Sequence, residues 1–261
     1  MNINEIAKLA GVSRATVSRY LNNGYVSEEK KKIIRKVIEE TGYQPSSQAQ
    51  MLRTKKTKLV GVILPKIDSN TISREVAGIS DILTKKGYQL ILANTNNNIE
   101  EELKYLSLFK DNQVDGVIFI ATILTKQHRD MLKEYKVPIV LLGQRLEGYP
   151  CIFQDDQKAA MTLTEQMVKT GSKFGYITVT DKDEAVGRKR MSGVEEILSK
   201  NKIEFGSEYV KCGDFTLESG YEKAGELFGE HPDIDTLICA TDTMAVGAVS
   251  WLKKNGYRIP E

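Results

Sequence analysis

A change in the spacing of apolar residues near position 58 is the feature that most restricts the fold of this chain. Beyond it, short and almost continuous apolar runs alternate with amphipathic segments, as in parallel sheets wrapped by helices. The apolar runs form two sets of expected strands, 59–64, 89–93, 116–121 and 139–142, then 151–153, 176–179, 208–211 and 237–240. The amphipathic segments predict helices near 72–86, 100–112, 126–135, 157–170, 184–200, 217–228 and 243–255. Two such sets, meeting near residues 148–150, predict an α/β region of two lobes with a cleft between them.

Before position 58 the sequence instead predicts a small all-α head of short helices. The expected N-caps are Asn4, Ser13 and Ser27, and the expected breaks are Gly11, Asn22-Asn23-Gly24 and Thr41-Gly42. In the third helix, Ile33, Ile34, Val37 and Ile38 are expected to face inward. Gly11 suits the positive φ of a sharp turn between the first two helices.

The charge of the chain is unevenly divided. Residues 1–58 contain 12 Lys and Arg against 5 Asp and Glu, whereas the remaining residues contain 25 against 30, although the whole chain carries only +2. A basic head on an acidic body indicates that the head meets nucleic acid. A Lys-rich head can also serve solubility alone, so the charge needs support from a motif.

Neither a membrane segment nor an exported protein is expected. No apolar run approaches the ~20 residues that cross a bilayer, and MNINEIAKLAG is polar where a signal peptide needs an apolar core. Cys151, Cys212 and Cys239 are odd in number and far apart, which suits reduced thiols better than disulfides or a zinc site. We therefore expect a cytoplasmic protein without a metal or other cofactor.

Two short helices joined by a turn that contains Gly11 match the helix-turn-helix, whose second helix enters the major groove of DNA. Here the second helix is SRATVSRYLN, and its side chains offer contacts to bases and phosphates. The expected DNA-reading residues are Arg14, Ala15, Thr16, Ser18, Arg19 and Asn22. By spacing alone, a plain helical hairpin with surface arginines explains the same pattern equally well.

The pattern AxxAGVSxxTVSRxLN, from Ala7 to Asn22, resembles the DNA-binding head of LacI/GalR repressors. Further features follow in the same order, namely VS at 26–27, TGYQP at 41–45 and SSQAQMLRTKKTKLVGVILP. The resemblance runs from residue 2 to residue 261 and implies a two-lobed sensing domain like the periplasmic binding proteins. It also implies a repressor without catalytic residues that binds a palindromic DNA operator as a homodimer. Its expected regulator is a small-molecule effector, a sugar or sugar phosphate.

Residues 46–53 resemble the hinge helix of that family. A helix of about two turns is unstable alone, so it would persist only when paired with its copy from a second subunit in the minor groove. Leu52 stands where the family inserts a leucine between base pairs, which kinks the duplex. Ala49 stands where the two hinge helices approach closely, and Arg53 completes the expected DNA-binding set. A surface leucine in a linker is the alternative for Leu52.

Ligands of open α/β sheets bind beyond the carboxyl ends of the strands, and the resemblance marks six residues in such places. They are Ser69, Ile72, Gln144, Arg190, Phe215 and Asp242. Arg190, within EAVGRKRMSGV, matches an arginine that grips sugar hydroxyls, for which a guanidinium fork is suited. Gln144 is expected to stand in for an Asp that some relatives carry where this chain has Gly143.

Several of these positions have a structural alternative. Ser69 and Asp242 are equally suited to start the helices that follow them, Phe215 to fill the core, and Arg190 to lie as a solvated charge. Asp155 and Asp156 are expected to cap the next helix rather than to bind a ligand. In ATDTMAVGA, Thr241 replaces the family's usual Asn. The stretch GYPCIFQDD after Gly143-Gln144 resembles the Gram-positive sucrose-operon repressors.

Four regions are expected: a head over 1–45, a hinge and linker over 46–58, an N-terminal lobe over 59–147 and a C-terminal lobe over 148–261. Family members normally continue beyond the final YRIPE with a strand and with crossings that return to the first lobe. The second lobe is therefore expected to be incomplete, as in a C-terminally truncated chain.

Three other functions fit parts of the sequence. An enzyme on a doubly wound sheet is disfavoured, since GVILPKIDSN lacks the glycine patterns that cradle phosphates and no nucleophile–base set is evident. A solute-binding protein is disfavoured by the DNA-binding head and the polar N-terminus. A catabolite-control regulator driven by a phosphoprotein partner is the main alternative, with Arg74, Glu75 and Asp81 as the surface to test.

Overall fold

The computed structural model describes residues 1–44, 56–111 and 114–260. The chain divides into two compact units, the first formed mainly by residues up to Leu59 and the second by nearly all that follow. The expected hinge at 46–53, with Ala49, Leu52 and Arg53, lies outside the described residues and stays a prediction.

Within residues 1–44 the head forms three helices, α1 (Ile3–Leu9), α2 (Arg14–Leu21) and α3 (Glu28–Thr41). Ser13 caps α2 by accepting a hydrogen bond from the Thr16 amide, as predicted. Gly11 and Gly42 adopt positive φ values of 62° and 63°, so both expected helix breaks are confirmed. Sharp left-handed turns at these two glycines let three short helices fold back on one another.

Two details of the head differ from the prediction. Asn2, not Asn4, caps α1, because its side chain accepts from the Asn4 and Glu5 amides while the Glu5 carboxylate accepts from the Asn2 amide. This reciprocal pair satisfies more of the free N–H groups of the first turn than a cap at Asn4 would. Ile33 is 42% exposed rather than inward-facing, because its neighbour Ile34 takes the fully buried position on α3.

One apolar cluster holds the three helices together. Its buried members are Ile6, Ala7, Ala10, Val17, Val26 and Ile34, with Val12 and Leu21 packed against them. Because Val17 lies on α2 and is fully buried, the side of α2 that carries it faces the head's own core. The opposite side of α2 is thereby fixed toward solvent.

In the described part of the second unit, a first sheet contains five strands in the order β2-β1-β3-β4-β5. The strands are β1 (Leu59–Leu64), β2 (Gln89–Asn94), β3 (Gly116–Ile120), β4 (Ile139–Leu142) and β5 (Cys151–Ile152). The helices between them are α4 (Asn70–Lys85), α5 (Ile99–Asp111) and α6 (Lys126–Lys133). Parallel pairing places Val62 opposite Ile118, and Ile118 opposite Val140.

The sequence predicts that the strand at 151–153 belongs to the second set of strands. This prediction was wrong, because the strand lies in the first sheet. It is β5, and it pairs in parallel with β4 through Leu141 opposite Cys151 and Leu142 opposite Ile152. The connection turns at Gly143 and Gly148, both at positive φ, and so brings the chain back beside β4. The first sheet thereby gains an edge strand, and the second begins later in the chain.

The second sheet, again among described residues, has the parallel order β7-β6-β8. Its strands are β6 (Phe174–Thr178), β7 (Val210–Cys212) and β8 (Thr236–Cys239), and its α-helices are α7 (Asp156–Met167), α8 (Arg190–Lys200), α9 (Leu217–Glu230) and α10 (Asp242–Lys254). A π-helical turn (Glu184–Lys189) replaces the start of the helix expected at 184–200, and a 3₁₀ turn (Ser207–Tyr209) replaces the start of the strand expected at 208–211.

Helices α9 and α10 pack backbone against backbone. A Cβ atom on Gly220 would collide with the Met244 backbone, and one on Gly247 with the Leu217 carbonyl. Fully buried Phe174, Tyr176 and Leu198 fill the core on the β6 and α8 side. Strands and helices alternate in both lobes, so the predicted α/β class with parallel sheets is confirmed.

Among the helices that the structure describes, none combines the length and the apolar character needed to cross a membrane.

Candidate DNA-binding face and effector cleft

Helix α2 carries the residues predicted to read DNA on its accessible side. Arg14, Ala15, Arg19 and Asn22 are exposed, and Thr16 and Ser18 are half-buried. At about 100° of rotation per residue, the positions 14, 15, 18, 19 and 22 fall within one arc of about 140°, and position 16 lies about 60° outside it. The structure therefore brings five of the six predicted residues together on one face.

Some of these side chains already have a partner within α2. Thr16 Oγ1 lies 2.9 Å from Ser13 Oγ, and Asn22 Nδ2 donates to the Ser18 carbonyl at 2.6 Å. Arg14 and Arg19 make no ion pair with any residue in the described ranges. Their guanidinium groups are thus available for bidentate hydrogen bonds to guanine or phosphate.

A polar contact that the sequence analysis did not single out braces α2 against α3. The Tyr20 hydroxyl of α2 lies close enough to Arg35 of α3 to be the main reason that the pKa of Arg35 is raised. The Gly24 amide also donates to the Arg19 carbonyl at 2.8 Å and closes the turn after α2. The first of these contacts links α2 to α3, and the second closes the end of α2.

The chain that leads into β1 is anchored by Asp115, just before β3. The Asp115 carboxylate accepts from the Thr57 amide at 2.8 Å, from the Thr57 hydroxyl at 3.0 Å and from the Lys58 amide at 3.1 Å. Partial burial raises the pKa of Asp115, but these hydrogen bonds outweigh burial and leave that pKa below its usual range. Thr57 and Asp115 are 58 residues apart, so no local pattern announces this anchor.

The carboxyl ends of the two sheets face each other, as two contacts and one electrostatic effect between the lobes indicate. Gln144, after β4, donates to Asp183, after β6, at 2.9 Å. Lys189 lies 5.7 Å from the ring centre of Phe153, which follows β5. Hydrogen bonds from Thr216 lower the pKa of Asp214, and the charge of Lys66 lowers it further from across the cleft.

Arg190 is only partly free. Its Nε donates to Asp156 Oδ1 at 2.8 Å, its Nη2 lies 2.7 Å from the same oxygen, and its Nη1 donates to the Ala240 carbonyl at 2.6 Å. The Arg190 side chain is 29% exposed and that of Asp156 only 6%. The prediction that Asp156 caps the next helix was therefore wrong. Asp155 alone caps α7, by accepting from the Lys158 amide, while the partly buried Arg190 draws Asp156 inward as its counter-ion.

Asp183 is a cleft residue that the sequence analysis missed. It is 2% exposed, and its Oδ1 accepts from Gln144 Nε2, from the Ala185 amide and from the Val186 amide. Burial raises the pKa of Asp183, the nearby charge of Asp156 adds to the rise, and the hydrogen bonds oppose it. An Asp before a helix is a readable capping signal, but its partner lies 39 residues away.

Ser69 and Ile72 lie together at the start of α4. Ser69 caps that helix by accepting from the Ile72 amide at 3.4 Å, and both residues are half-buried. Ile72 also packs against the cluster of Val62, Leu64 and Ile120. Capping leaves the Ser69 hydroxyl hydrogen free to donate elsewhere, so the two expected roles are compatible.

Phe215 follows β7 with a backbone φ of 72°, a conformation that a bulky residue rarely adopts. Its half-buried ring packs against the cluster that contains Ile177, Val179 and Met244. Such strained positions concentrate at ligand sites. The packing of Phe215 agrees with a role in the core, and its backbone conformation agrees with a role in ligand binding.

Asp242 is exposed in the first turn of α10, and Thr241 caps that helix by accepting from the Met244 amide at 3.4 Å. The cap that Asp242 was suited to provide therefore belongs to its neighbour. Asp242 lies two residues after Ala240, whose carbonyl accepts from Arg190.

The surface expected for a phosphoprotein partner is less open than the sequence implies. Asp81 pairs with Lys85 at 2.7 Å on α4. Glu75 is half-buried, and burial raises its pKa. Of the three candidate residues, Arg74 is exposed.

Two family profiles match this chain. One is described as the periplasmic binding proteins and sugar binding domain of the LacI family, and it matches residues 57–261. The other is described as the bacterial regulatory proteins of the lacI family, and it matches residues 2–46. Together they correspond to the sensing region and the DNA-binding head.

Individual relatives agree with the profiles. The sucrose operon repressor of Staphylococcus xylosus is 33% identical over 246 residues, which cover 94% of this chain and 76% of that protein. Catabolite control protein A of Priestia megaterium is 33% identical over 265 residues, covering 100% and 80%. The solved lac repressor dimer bound to operator and the anti-inducer ONPF shares the fold, with a TM-score of 0.89 at 21% identity over 99% of this chain and 79% of that one. The chain belongs to the LacI family of bacterial regulatory proteins, and it is a DNA-binding transcriptional regulator with a sugar-binding domain rather than an enzyme.

Proposed function

We propose that this protein acts in the cytoplasm as a repressor that binds a palindromic operator as a homodimer. A sugar bound between its two lobes changes its affinity for that operator. The observation that carries the proposal is the accessible face of α2, where Arg14, Arg19 and Asn22 stand together while Val17 anchors the helix from behind. A dimer presents two copies of that face, which matches the two-fold symmetry of a palindrome.

The contacts on DNA follow from the chemistry of this face. Arg14 and Arg19 each suit a bidentate pair with guanine, and Ala15 suits the methyl group of thymine. Thr16 and Ser18 suit phosphate oxygens, which fix the register without carrying sequence information. In the linker, Ala49, Leu52 and Arg53 would add contacts in the minor groove.

Support for a homodimer comes from an apolar surface on the first lobe. Ile82 of α4 is 54% exposed, and Ile91 and Leu92 of the edge strand β2 are 40% and 43% exposed. Helix α4 has no fully buried residue along its 16-residue length. An open sheet edge beside exposed apolar side chains is a surface that a partner normally covers. A second copy of this chain would bury it.

The effector would bind between the carboxyl ends of the two sheets. Arg190 keeps at least two of its five N–H groups after its bonds to Asp156 and Ala240, and these can donate to sugar hydroxyls. Phe215 offers a ring face for stacking on a sugar. The polar residues proposed beside them are Ser69, Gln144 and Asp242, with Ile72 as an apolar contact.

The regulatory step is a difference in affinity. A sugar that binds one arrangement of the lobes better than the other shifts the dimer toward that arrangement and alters the pairing of the hinge segments. The resulting coupling between sugar and operator is typically about 1–3 kcal/mol. We propose that residues 1–45 bind the operator, that 46–58 form the hinge and linker, and that 59–147 and 148–261 form the two sensing lobes. Strand β5 lies within the last of these ranges but pairs in the sheet of the first lobe.

The test is fluorescence anisotropy at fixed salt, with a palindrome from the upstream region of its own gene and a scrambled duplex of equal length as the control. We expect specific binding that sucrose or another sugar weakens. Equal affinity for both duplexes would contradict the repressor proposal. Specific binding that responds to a phosphoprotein but to no sugar would favour the catabolite-control alternative.

A further inference from the structure

The positive charge of Arg190 is already neutralised inside the cleft. Asp156 Oδ1 lies 2.8 Å from its Nε and 2.7 Å from its Nη2, and the Asp156 carboxylate is almost fully buried. The Ala240 carbonyl takes a third position on the guanidinium at 2.6 Å. A ligand therefore meets the remaining N–H groups of an ion pair, not a free cation.

Two other cations at these strand ends are also engaged. Lys66 pairs with Asp68 at 4.0 Å, and its charge helps to lower the pKa of Asp214. Lys189 rests over the ring of Phe153. The negatively charged groups at these strand ends include Asp183 and Asp242, which follow β6 and β8. Arg188, two residues before Arg190, is paired with Glu184 at 2.7 Å. Arg190 and its immediate partner Asp156 thus carry no net charge.

We propose that Asp156 is a specificity-determining residue of the effector cleft: it neutralises Arg190, and the cleft therefore binds uncharged sugars and excludes their phosphate esters. This inference rests on the proposed function, because it concerns the same cleft. Hydroxyl groups need donors and acceptors without net charge, which the Arg190–Asp156 pair and the Gln144 amide provide. A phosphate dianion needs an uncompensated cation, and here it would meet carboxylates instead.

A second observation agrees with a negative potential at this place. Burial is the main cause of the raised pKa of Asp183, and the charge of Asp156 contributes to the same rise. The contribution of Asp156 is smaller than that of burial, and its sign is the one expected of a negative charge close to Asp183.

The test is isothermal titration calorimetry on the full chain with two pairs of probes, glucose against glucose 6-phosphate and fructose against fructose 6-phosphate. Inorganic phosphate is a fifth probe, so that the result does not depend on having chosen the right sugar. In the wild type we expect no measurable binding of inorganic phosphate and, for any pair that binds, a preference for the neutral member of about tenfold or more. In Asp156→Asn, which keeps the shape but releases the charge of Arg190, we expect phosphate and the phosphate esters to gain about tenfold in affinity.

Asp155→Asn is the matched control, because it removes the same charge from the neighbouring, exposed position. It should keep the wild-type preference. Circular dichroism and operator anisotropy verify that both variants are folded. Wild-type protein that binds phosphate esters as tightly as neutral sugars would overturn the inference, as would an Asp156→Asn variant that gains no affinity for phosphate. A neutral sugar that binds but leaves operator affinity unchanged would contradict the proposed regulation and leave the charge preference intact.

Discussion

The DNA-binding face and the effector cleft are built in opposite ways. The face of α2 comes from nine consecutive positions, 14–22, on one helix and its cap, and its two arginines make no ion pair with a described residue. The cleft comes from loops after several strands, and its principal cation is held by Asp156 and by the Ala240 carbonyl, 34 and 50 residues away. One site has free charges on a local scaffold, and the other has paired charges on a dispersed scaffold.

This difference indicates at which site a side chain that determines specificity can be replaced without affecting the stability of the fold. On α2 the two predicted reading arginines, Arg14 and Arg19, can be exchanged without disturbing another described charged group, so we expect that the operator can change while the head stays folded. In the cleft, Arg190 cannot be altered without leaving Asp156 buried and unpaired, which is costly. Four predictions follow the contrast from its largest expected effect to its smallest.

Arg190→Ala should abolish the response to sugar and leave operator binding intact. It should also destabilise the second lobe by about 3 kcal/mol, because it strands a buried carboxylate. The double variant Arg190→Ala with Asp156→Ala should recover most of that stability without recovering the response. Thermal melting and operator anisotropy measure the two effects. A sugar response that survives in Arg190→Ala would remove this residue from the cleft.

Arg19→Ala should lower affinity for the specific operator by about 1–3 kcal/mol and leave the thermal stability of the head nearly unchanged. The physical reason is that the Arg19 side chain is proposed to read bases and is paired with no charged group among the described residues. Lys36→Ala on α3 removes the same charge and is the matched control, since it should affect specific and scrambled duplexes alike. Anisotropy with both duplexes measures the ratio. If Arg19→Ala lowered both affinities equally, Arg19 would be a phosphate contact and not a base reader.

Asp115→Ala tests whether the link between the two sites is itself local or dispersed. It removes three hydrogen bonds to Thr57 and Lys58, which fix the end of the linker at β1. We expect sugar affinity and operator affinity, each measured alone, to remain close to wild type, while their coupling falls by about 0.5–2 kcal/mol. Asp130→Ala, on the surface of α6, is the control. Unchanged coupling in Asp115→Ala would show that this anchor does not carry the signal.

Asp183→Asn should change the pH dependence of stability. Burial raises the folded-state pKa of Asp183, so the wild type gains stability from the protonated group at low pH and loses it as pH rises through that pKa. The neutral variant lacks this loss, and its melting temperature relative to wild type should therefore be higher at pH 7 than at pH 4. Asp156 and Arg190 are present in both proteins and cancel in the comparison. A difference that is constant with pH would contradict a raised pKa.

The contrast between local and dispersed contacts also explains which features could be predicted from the sequence. The caps at Ser13, the turn at Gly11 and the end of α3 at Gly42 depend on neighbours within a few residues, so local rules predict them. The strands of both sheets were found within a few residues because apolar runs mark buried parallel strands. The error at Asn4 was also local: two possible caps lie two residues apart, and only the reciprocal bond with Glu5 separates them.

The features that the sequence did not predict involve residues that are far apart in the chain. The position of β5 depends on pairing with β4, which no apolar run can encode. The pairs Arg190–Asp156, Gln144–Asp183 and Thr57–Asp115 span 34, 39 and 58 residues. From the sequence alone, each of these aspartates is predicted to be an ordinary turn or cap residue. Only the folded chain reveals that each has a distant donor.

The π-helical turn at Glu184–Lys189 decides how Arg190 would respond to a change in chain length. The Asp183 carbonyl accepts from both the Gly187 and the Arg188 amides, so the turn holds its wider winding immediately before Arg190. Because a π turn contains more residues than an α turn, the loss of one codon here can be absorbed by a return to ordinary winding, so that the side chains of α8 keep their orientation. Arg190 would then stay beside Asp156. In the descent of this gene, these six residues are therefore a place where one codon can be lost without separating that ion pair.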